Sequence, residues 1–468
     1  MHIDLTSLRP IFFMATGLRR KRKADASMRA DRMFGAPLRL MVAIVIGLVL
    51  APTDVEAKWK SKGQVTLEGR AFLDDNNAQT VDEGLGMLGR IELSHRHKPF
   101  KEKMRIYGRL DSRDSNRTVL IVEELWAEVK LGDFRLRVGA DLLNWSATEV
   151  FHPADIVNAR NLDSDFEDYE KLGEPMVRMS YKLGSGSLSA YFFPYYTRTI
   201  FPAQTSRLSF VPTDVPTGPF IFMDASGNLT DRNFGLQGAA RFTQSFRGID
   251  IGLHVVHHLD RLQPEVLLDP STNLPRPLFR TVTQVGGTYQ HVIGSVVAKL
   301  ETSYRIFAAP ADNMTDLGPV QDRNHLQLAG GLEYGFLVDD SIELTFFLEA
   351  QSYIFGDEIL EAFGGEEKDI RYNELRRSLG IFQRDGFFGF RLAFNDTNST
   401  ELRGSAVLDL QDLEQLLVNV TYTQRFWTDW GLSLGLRMVF GPSNSTVAGG
   451  FGVPLDSDHV RLFLTRYF

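Results

Sequence analysis

The chain has 468 residues, no cysteine, 40 glycines and 34 phenylalanines, and its 51 basic and 59 acidic side chains give a formal charge of −8. The missing cysteines exclude disulfides, thiolate zinc sites and thiol nucleophiles, and the acidic balance argues against a nucleic-acid partner. A hydrophobic fraction of 43% and a mean hydropathy of −0.15 exclude a bundle of membrane helices, yet suit a transmembrane barrel, whose lipid-facing and lumen-facing residues alternate and average out.

The first element is the apolar run Leu40 to Ala51, too short to span a bilayer, which needs about twenty residues. Arg29, Arg32 and Arg39 precede it, and Val55-Glu56-Ala57 follows as an A-x-A-like cleavage site. Residues 1–57 therefore read as a signal peptide rather than a buried helix, with mature protein from Lys58. Residues 1–27, with the basic cluster at 19–23, are either an over-called start or a long n-region. Removing 1–57 leaves 42 basic against 54 acidic side chains, a net charge of −12.

From Lys58 onward the pattern has the two-residue period of a strand. Val65, Leu67, Gly69, Ala71 and Leu73 alternate with Gln64, Thr66, Glu68, Arg70 and Phe72; Met104, Ile106, Gly108 and Leu110 alternate with Arg105, Tyr107, Arg109 and Asp111. Eighteen such segments begin near 64, 86, 103, 119, 133, 175, 186, 233, 248, 279, 293, 324, 341, 381, 401, 415, 430 and 457. They are longer than the roughly five or six residues of a soluble strand and match the length a tilted strand needs to cross a membrane. Short turns (Gly132-Asp133, Gly184-Ser185-Gly186, Arg247-Gly248, Val338-Asp339-Asp340, Thr428-Asp429) alternate with long polar connections at 142–174, 197–232, 259–278, 307–323, 356–380 and 441–456. That rhythm predicts an all-β, closed antiparallel transmembrane β-barrel over 58–468, with short turns on the periplasmic rim and long loops outside. The strand number must be even. Eighteen is expected and sixteen is the alternative, because 186–196 and 381–395 alternate least clearly.

The chain ends on an alternating strand closing at Phe468, which resembles the C-terminal signal of outer-membrane barrels in Gram-negative bacteria. Arg466 stands where an apolar residue is usual and is expected to snorkel to the membrane interface. A more specific likeness lies in 120–194. Glu124-Leu125-Trp126, Leu136-Arg137-Val138-Gly139, Asn144-Trp145, Pro153-Ala154-Asp155-Ile156-Val157-Asn158 and Asp165-Phe166-Glu167-Asp168 occur in that order. Together they resemble a large uncharacterised proteobacterial outer-membrane family, a domain of unknown function that is porin-like in shape. Ala140-Asp141 and Ser146 depart from its commoner residues. The match covers about a sixth of the chain, implies fold and cell outer-membrane location, and brings no activity.

On the polar parity of the first six strands, Arg70, Arg90, Arg105, Arg109, Arg135, Arg137 and Arg178 are expected to line the lumen, because a charge on the lipid face costs about 2–4 kcal/mol at mid-membrane. Loop 142–174 carries Asp155, Asp163, Asp165, Glu167, Asp168 and Glu170. By resemblance to general porins, whose third loop narrows the pore, it would set these acids against the arginines in a charged constriction. Ordinary salt bridging that fills the barrel is the competing outcome. The leading expectation is passive passage of small hydrophilic, anionic solutes, with outer-membrane lipid and small polar solutes as the partners. The alternative is a structural or adhesive barrel that binds an external partner through its loops.

Other motifs carry less. Gly84-Leu85-Gly86-Met87-Leu88-Gly89 matches a dinucleotide fingerprint but continues as a strand. Asp163 to Glu174 has partial calcium-loop spacing, with Asp168 at the turn-glycine position and Lys171 at a ligand position. His95 with His97, and His254 with His258, share strand faces, while His257, His291 and His325 stand elsewhere. No cofactor, metal or catalytic residue is expected, since no serine–histidine constellation is recognisable. About six residues between Lys58 and the first strand leave no room for a plug or hatch. The Pro- and Phe-rich central loops, with Tyr195, Phe201, Phe210, Phe220 and Phe222, are a possible route for amphipathic cargo.

Overall fold

A computed structural model describes residues 59–73, 82–163, 170–203, 206–207, 220–231, 235–261, 265–268, 275–311, 324–355, 383–411, 413, 415–441 and 457–468; residues 1–57, expected from the sequence to be a signal peptide, lie outside them. Eighteen strands form the wall: β1 (Lys60–Phe72), β2 (Glu83–His97), β3 (Phe100–Asp111), β4 (Val119–Leu131), β5 (Phe134–Asp141), β6 (Glu174–Leu183), β7 (Gly186–Phe193), β8 (Gln237–Phe246), β9 (Ile249–Leu259), β10 (Pro275–Ile293), β11 (Val296–Phe307), β12 (His325–Leu337), β13 (Glu343–Phe355), β14 (Arg384–Ala393), β15 (Glu401–Asp409), β16 (Leu416–Phe426), β17 (Trp430–Phe440) and β18 (His459–Tyr467). Each pairs antiparallel with the next, and β18 pairs with β1, so the sheet is a closed antiparallel transmembrane β-barrel. Short strands at Ile221–Met223 and Glu265–Leu268 extend the loop-side end of β10.

Both doubtful segments are wall strands: β7 pairs with β6 and β8, and β14 pairs with β13 and β15. Their alternation is blurred because both faces are apolar. Phe193 and Phe387 are buried inside the barrel while Phe192 and Phe388 face outward. Elsewhere the alternation is sharp. In β1, Leu67 is 54% exposed on the outer face, while its neighbours Thr66 and Glu68 are buried inside.

Closure satisfies the backbone groups of every strand, which lipid would otherwise leave unpaired. At the seam Thr66 and Thr465 share a hydroxyl hydrogen bond of 2.9 Å, and Gly63 and Phe468 exchange backbone hydrogen bonds of 2.9 and 3.0 Å. Turn chemistry follows strand twist: Arg247 and Gly248 take φ of 48° and 79° between β8 and β9, the left-handed pair a two-residue hairpin requires. Tyr181, Phe246, Tyr334, Phe336, Trp427 and Phe468 are exposed at the short-turn rim, as in an interfacial aromatic girdle. Arg466 lies there too, 5.5 Å over the Trp430 ring and 3.6 Å from Asp429.

Candidate functional site

The connection from β5 to β6 carries apolar side chains, from Leu143 to Leu172, among its polar ones. It turns into the barrel and buries those residues against the inner wall. Leu143, Trp145, Ala154, Ile156 and Val157 pack on Met176 of β6, Tyr191 and Phe193 of β7, and Val256 of β9. Phe151 reaches the far side, among Ala329, Phe387, Val407, Leu417 and Val439 of β12 to β17. Ala159 and Leu172 return to Tyr107 of β3 and Ile121 of β4. Gly139 allows this entry. Its φ is +136°, and a Cβ there would stand 2.1 Å from the Leu125 carbonyl oxygen, so β5 closes on β4 beside Trp126 only with glycine.

Two wall carboxylates hold the crossing. Glu301 of β11 accepts from Thr148 N at 3.0 Å, Thr148 Oγ1 at 2.7 Å, Ala154 N at 3.0 Å and Ala147 N at 2.5 Å. Glu349 of β13 accepts from Glu149 N at 2.6 Å and Val150 N at 3.0 Å. Gln284 of β10 donates to the Pro153 carbonyl at 3.0 Å. At the base of the loop Asn158 accepts from Leu143 N at 2.8 Å and donates to the Asp141 and Leu172 carbonyls, each at 2.9 Å. Neither Glu301 nor Glu349 stood out in the sequence, because each is one acid on a polar parity like many others.

The described loop acids find partners nearer than the expected arginine row. Asp155 pairs with Lys171 of its own loop and lies 3.6 Å from Arg160. Asp163 lies 3.7 Å from Arg117, in the β3–β4 connection, and Glu170 accepts from Asn161 Nδ2 at 3.0 Å. Asp165, Glu167 and Asp168 lie outside the described residues.

Five of the seven expected arginines take wall acids. Arg90 pairs with Glu123 at 2.8 Å, Arg105 with Glu123 and Glu124 at 2.9 and 3.3 Å, and Arg109 with Glu68 at 2.9 Å. Arg70 pairs with Glu68 at 3.0 Å, and Arg137 with Glu128 and Asp141 at 2.7 and 2.6 Å. Arg178 donates to Ser180 at 3.1 Å, and Arg135 is exposed. A register shift at Arg105/Ile106 explains the competition: the β4 bulge at Glu123 turns two successive acids inward.

Burial sets the protonation of two loop groups. It pushes the Asp163 carboxyl up to about 6 despite the nearby Arg117, and it lowers His152 to about 4, with Arg160 adding to the effect. A carboxyl whose folded pKa lies above its ordinary value is penalised once ionised. Asp163 therefore favours the folded state at low pH and loses that contribution as pH rises from about 4 through 6. Relative to Asp163→Asn, wild-type unfolding free energy is expected to fall by up to about 3 kcal/mol across that window. Guanidinium unfolding at pH 4 and pH 7.5 measures it, and parallel pH profiles for both proteins would count against the assignment.

Other motifs resolve structurally. Gly84 to Gly89 lies within β2. Glu174, at the last calcium-loop position, is fully buried against Arg261 at 2.5 Å. His254 faces Gln284 at 3.0 Å and His258 faces Arg261 at 2.6 Å, so that pair does not converge. Phe201, Phe220 and Phe222 pack with Tyr196 and Phe279 into a cluster of their own; Phe210 lies outside the described residues.

No protein-family model matches the chain, and no curated protein matches it. Among solved structures it is similar to Pseudomonas aeruginosa OccK3 (OpdO), at 9% identity over 88% of this chain and 96% of that one, with a TM-score of 0.48. OccD3 (OpdP) of the same organism has 11% identity over 88% and 92%, with a TM-score of 0.46. A triple mutant of Rhodopseudomonas blastica porin has 11% identity over 88% and 100%, with a TM-score of 0.41.

Proposed function

We propose that the mature protein, cleaved after Ala57, is a passive channel of the Gram-negative outer membrane for small hydrophilic, anionic solutes. The observation that carries this reading is the inward loop pinned to Glu301 and Glu349 across a polar lumen. Barrels of sixteen to eighteen strands are wide enough to leave a water-filled channel, and a loop tied across one sets its bore.

The preference for anions rests on which charges meet water. Glu301, Glu349, Asp155 and Asp163 are all buried behind hydrogen bonds. On the inner face Arg135 is exposed, and Arg391 and Arg403 share the less exposed Glu401, which favours anions at that end, against the exposed Glu149 of the loop. In planar bilayers under a salt gradient, the reversal potential is expected to report anion preference. Replacing Arg135 and Arg403 by glutamine should reduce it, and raising the salt should do the same through screening. Cation preference in the wild type would refute the solute class, and absence of conductance would refute the channel and favour a filled or adhesive barrel.

A further inference from the structure

The β2–β3 hairpin carries a cluster on the outer face of the wall. His95 and His97 are two residues apart on β2, so alternation turns both side chains the same way, and the antiparallel register sets Glu102 of β3 opposite His95. Their parity is that of the exposed Leu85, Met87 and Ile91 on β2 and Leu110 on β3. The cluster thus sits on the outer surface at the short-turn rim. It is independent of the lumen and of the proposed channel.

Three donor atoms converge there. His95 Nδ1 is 2.9 Å and His97 Nδ1 3.7 Å from the same Glu102 oxygen, and the two ring nitrogens are 3.2 Å apart. A tetrahedral zinc ion, with bonds of about 2.0–2.1 Å, spaces its ligand atoms about 3.3 Å apart. The triangle already has the dimensions of one face of that tetrahedron. In the Nε2–H tautomer each imidazole presents its Nδ1 lone pair beside the Glu102 oxygen, the arrangement a metal ion takes. Glu102 is 3% exposed, and a buried carboxylate needs a hydrogen-bond donor or a cation beside it.

The rings are held in place before any ion arrives. Trp59 stacks on His95 at 4.8 Å and 16°, and Phe100 lies 5.3 Å from His97. Competing cations point elsewhere. Lys101 and Lys103 have the inward parity of β3, Lys101 over the Trp126 ring and Lys103 on Glu92 and Glu124.

We propose that His95, His97 and Glu102 bind a divalent transition-metal ion of the zinc type, leaving a fourth position for water. Two imidazoles and a carboxylate, without a thiolate, suit zinc, copper and nickel.

The test is titration of the full refolded protein, in detergent, with zinc chloride alone and with cobalt chloride. The expected result is one zinc bound per chain at micromolar concentration or tighter. Cobalt should give the intense visible absorption of four-coordinate geometry. His95→Ala, His97→Ala and Glu102→Gln should each weaken zinc binding tenfold or more, while His257→Ala and His291→Ala leave it unchanged. The cobalt spectrum of the wild type needs no variant to fold. A weak octahedral spectrum, no binding at micromolar zinc, or binding indifferent to the three substitutions would overturn the site.

Discussion

Replacing Glu301 and Glu349 together by alanine is expected to raise single-channel conductance several-fold. Glu301 accepts four hydrogen bonds from the inward loop, at Ala147, Thr148 (two) and Ala154. Glu349 accepts two, at Glu149 and Val150. Hydrogen bonds to a charged acceptor contribute about 1.5–3 kcal/mol each. Losing six exceeds what the apolar seat of Phe151 among β12 to β17 can offset, since burying one such side chain contributes about 1.5–3 kcal/mol. The far end of the loop should then leave the wall, while its base stays tied through Asn158. Bilayer recordings measure the result as larger, noisier openings. Thr148→Val, which removes one bond of the six, should change conductance little. A double variant that folds and conducts like wild type would show that the loop does not set the bore.

The largest stability effect is expected at Glu174 and Arg261, whose side chains pair with no solvent exposure on either. Arg261 also donates to the Leu259 carbonyl at 2.8 Å and to Gln237 at 3.2 Å, and its guanidinium lies 5.3 Å from the Tyr196 ring centre. Removing one partner leaves an uncompensated buried charge, which costs about 3–5 kcal/mol. Glu174→Gln and Arg261→Met should each lower the unfolding free energy by that amount. Changing both, Glu174→Leu with Arg261→Met, should recover most of it, because the second change removes the stranded charge. Guanidinium unfolding in micelles, followed by tryptophan fluorescence, gives the three values. Additive losses in the double variant would show that the two charges are not coupled.

What the sequence by itself determined is the wall. All eighteen strands were legible because lipid tests every second residue separately. An arginine on the outer face at mid-membrane costs about 2–4 kcal/mol whatever its neighbours are, so Arg70, Arg105 and Arg137 must share a parity. The two faint segments, around Phe193 and Phe387, were faint for a tertiary reason: their inner faces meet an apolar loop instead of water.

What only the tertiary structure decided is the pairing inside and around that wall. Loop acids and lumen arginines were both readable as residue types. Their partners depend on strand register and on the β4 bulge, which brings Glu123 and Glu124 to Arg105 before any loop carboxylate reaches it. Glu301 meets Thr148 across 153 residues, and Arg261 meets Glu174 across 87. The histidine cluster shows the same division: spacing put His95 and His97 on one face, and only the β2–β3 register delivered Glu102 to them. Facing lipid is a local property, paid residue by residue. Which buried charge meets which is settled once, by closure of the barrel and the path of its inward loop.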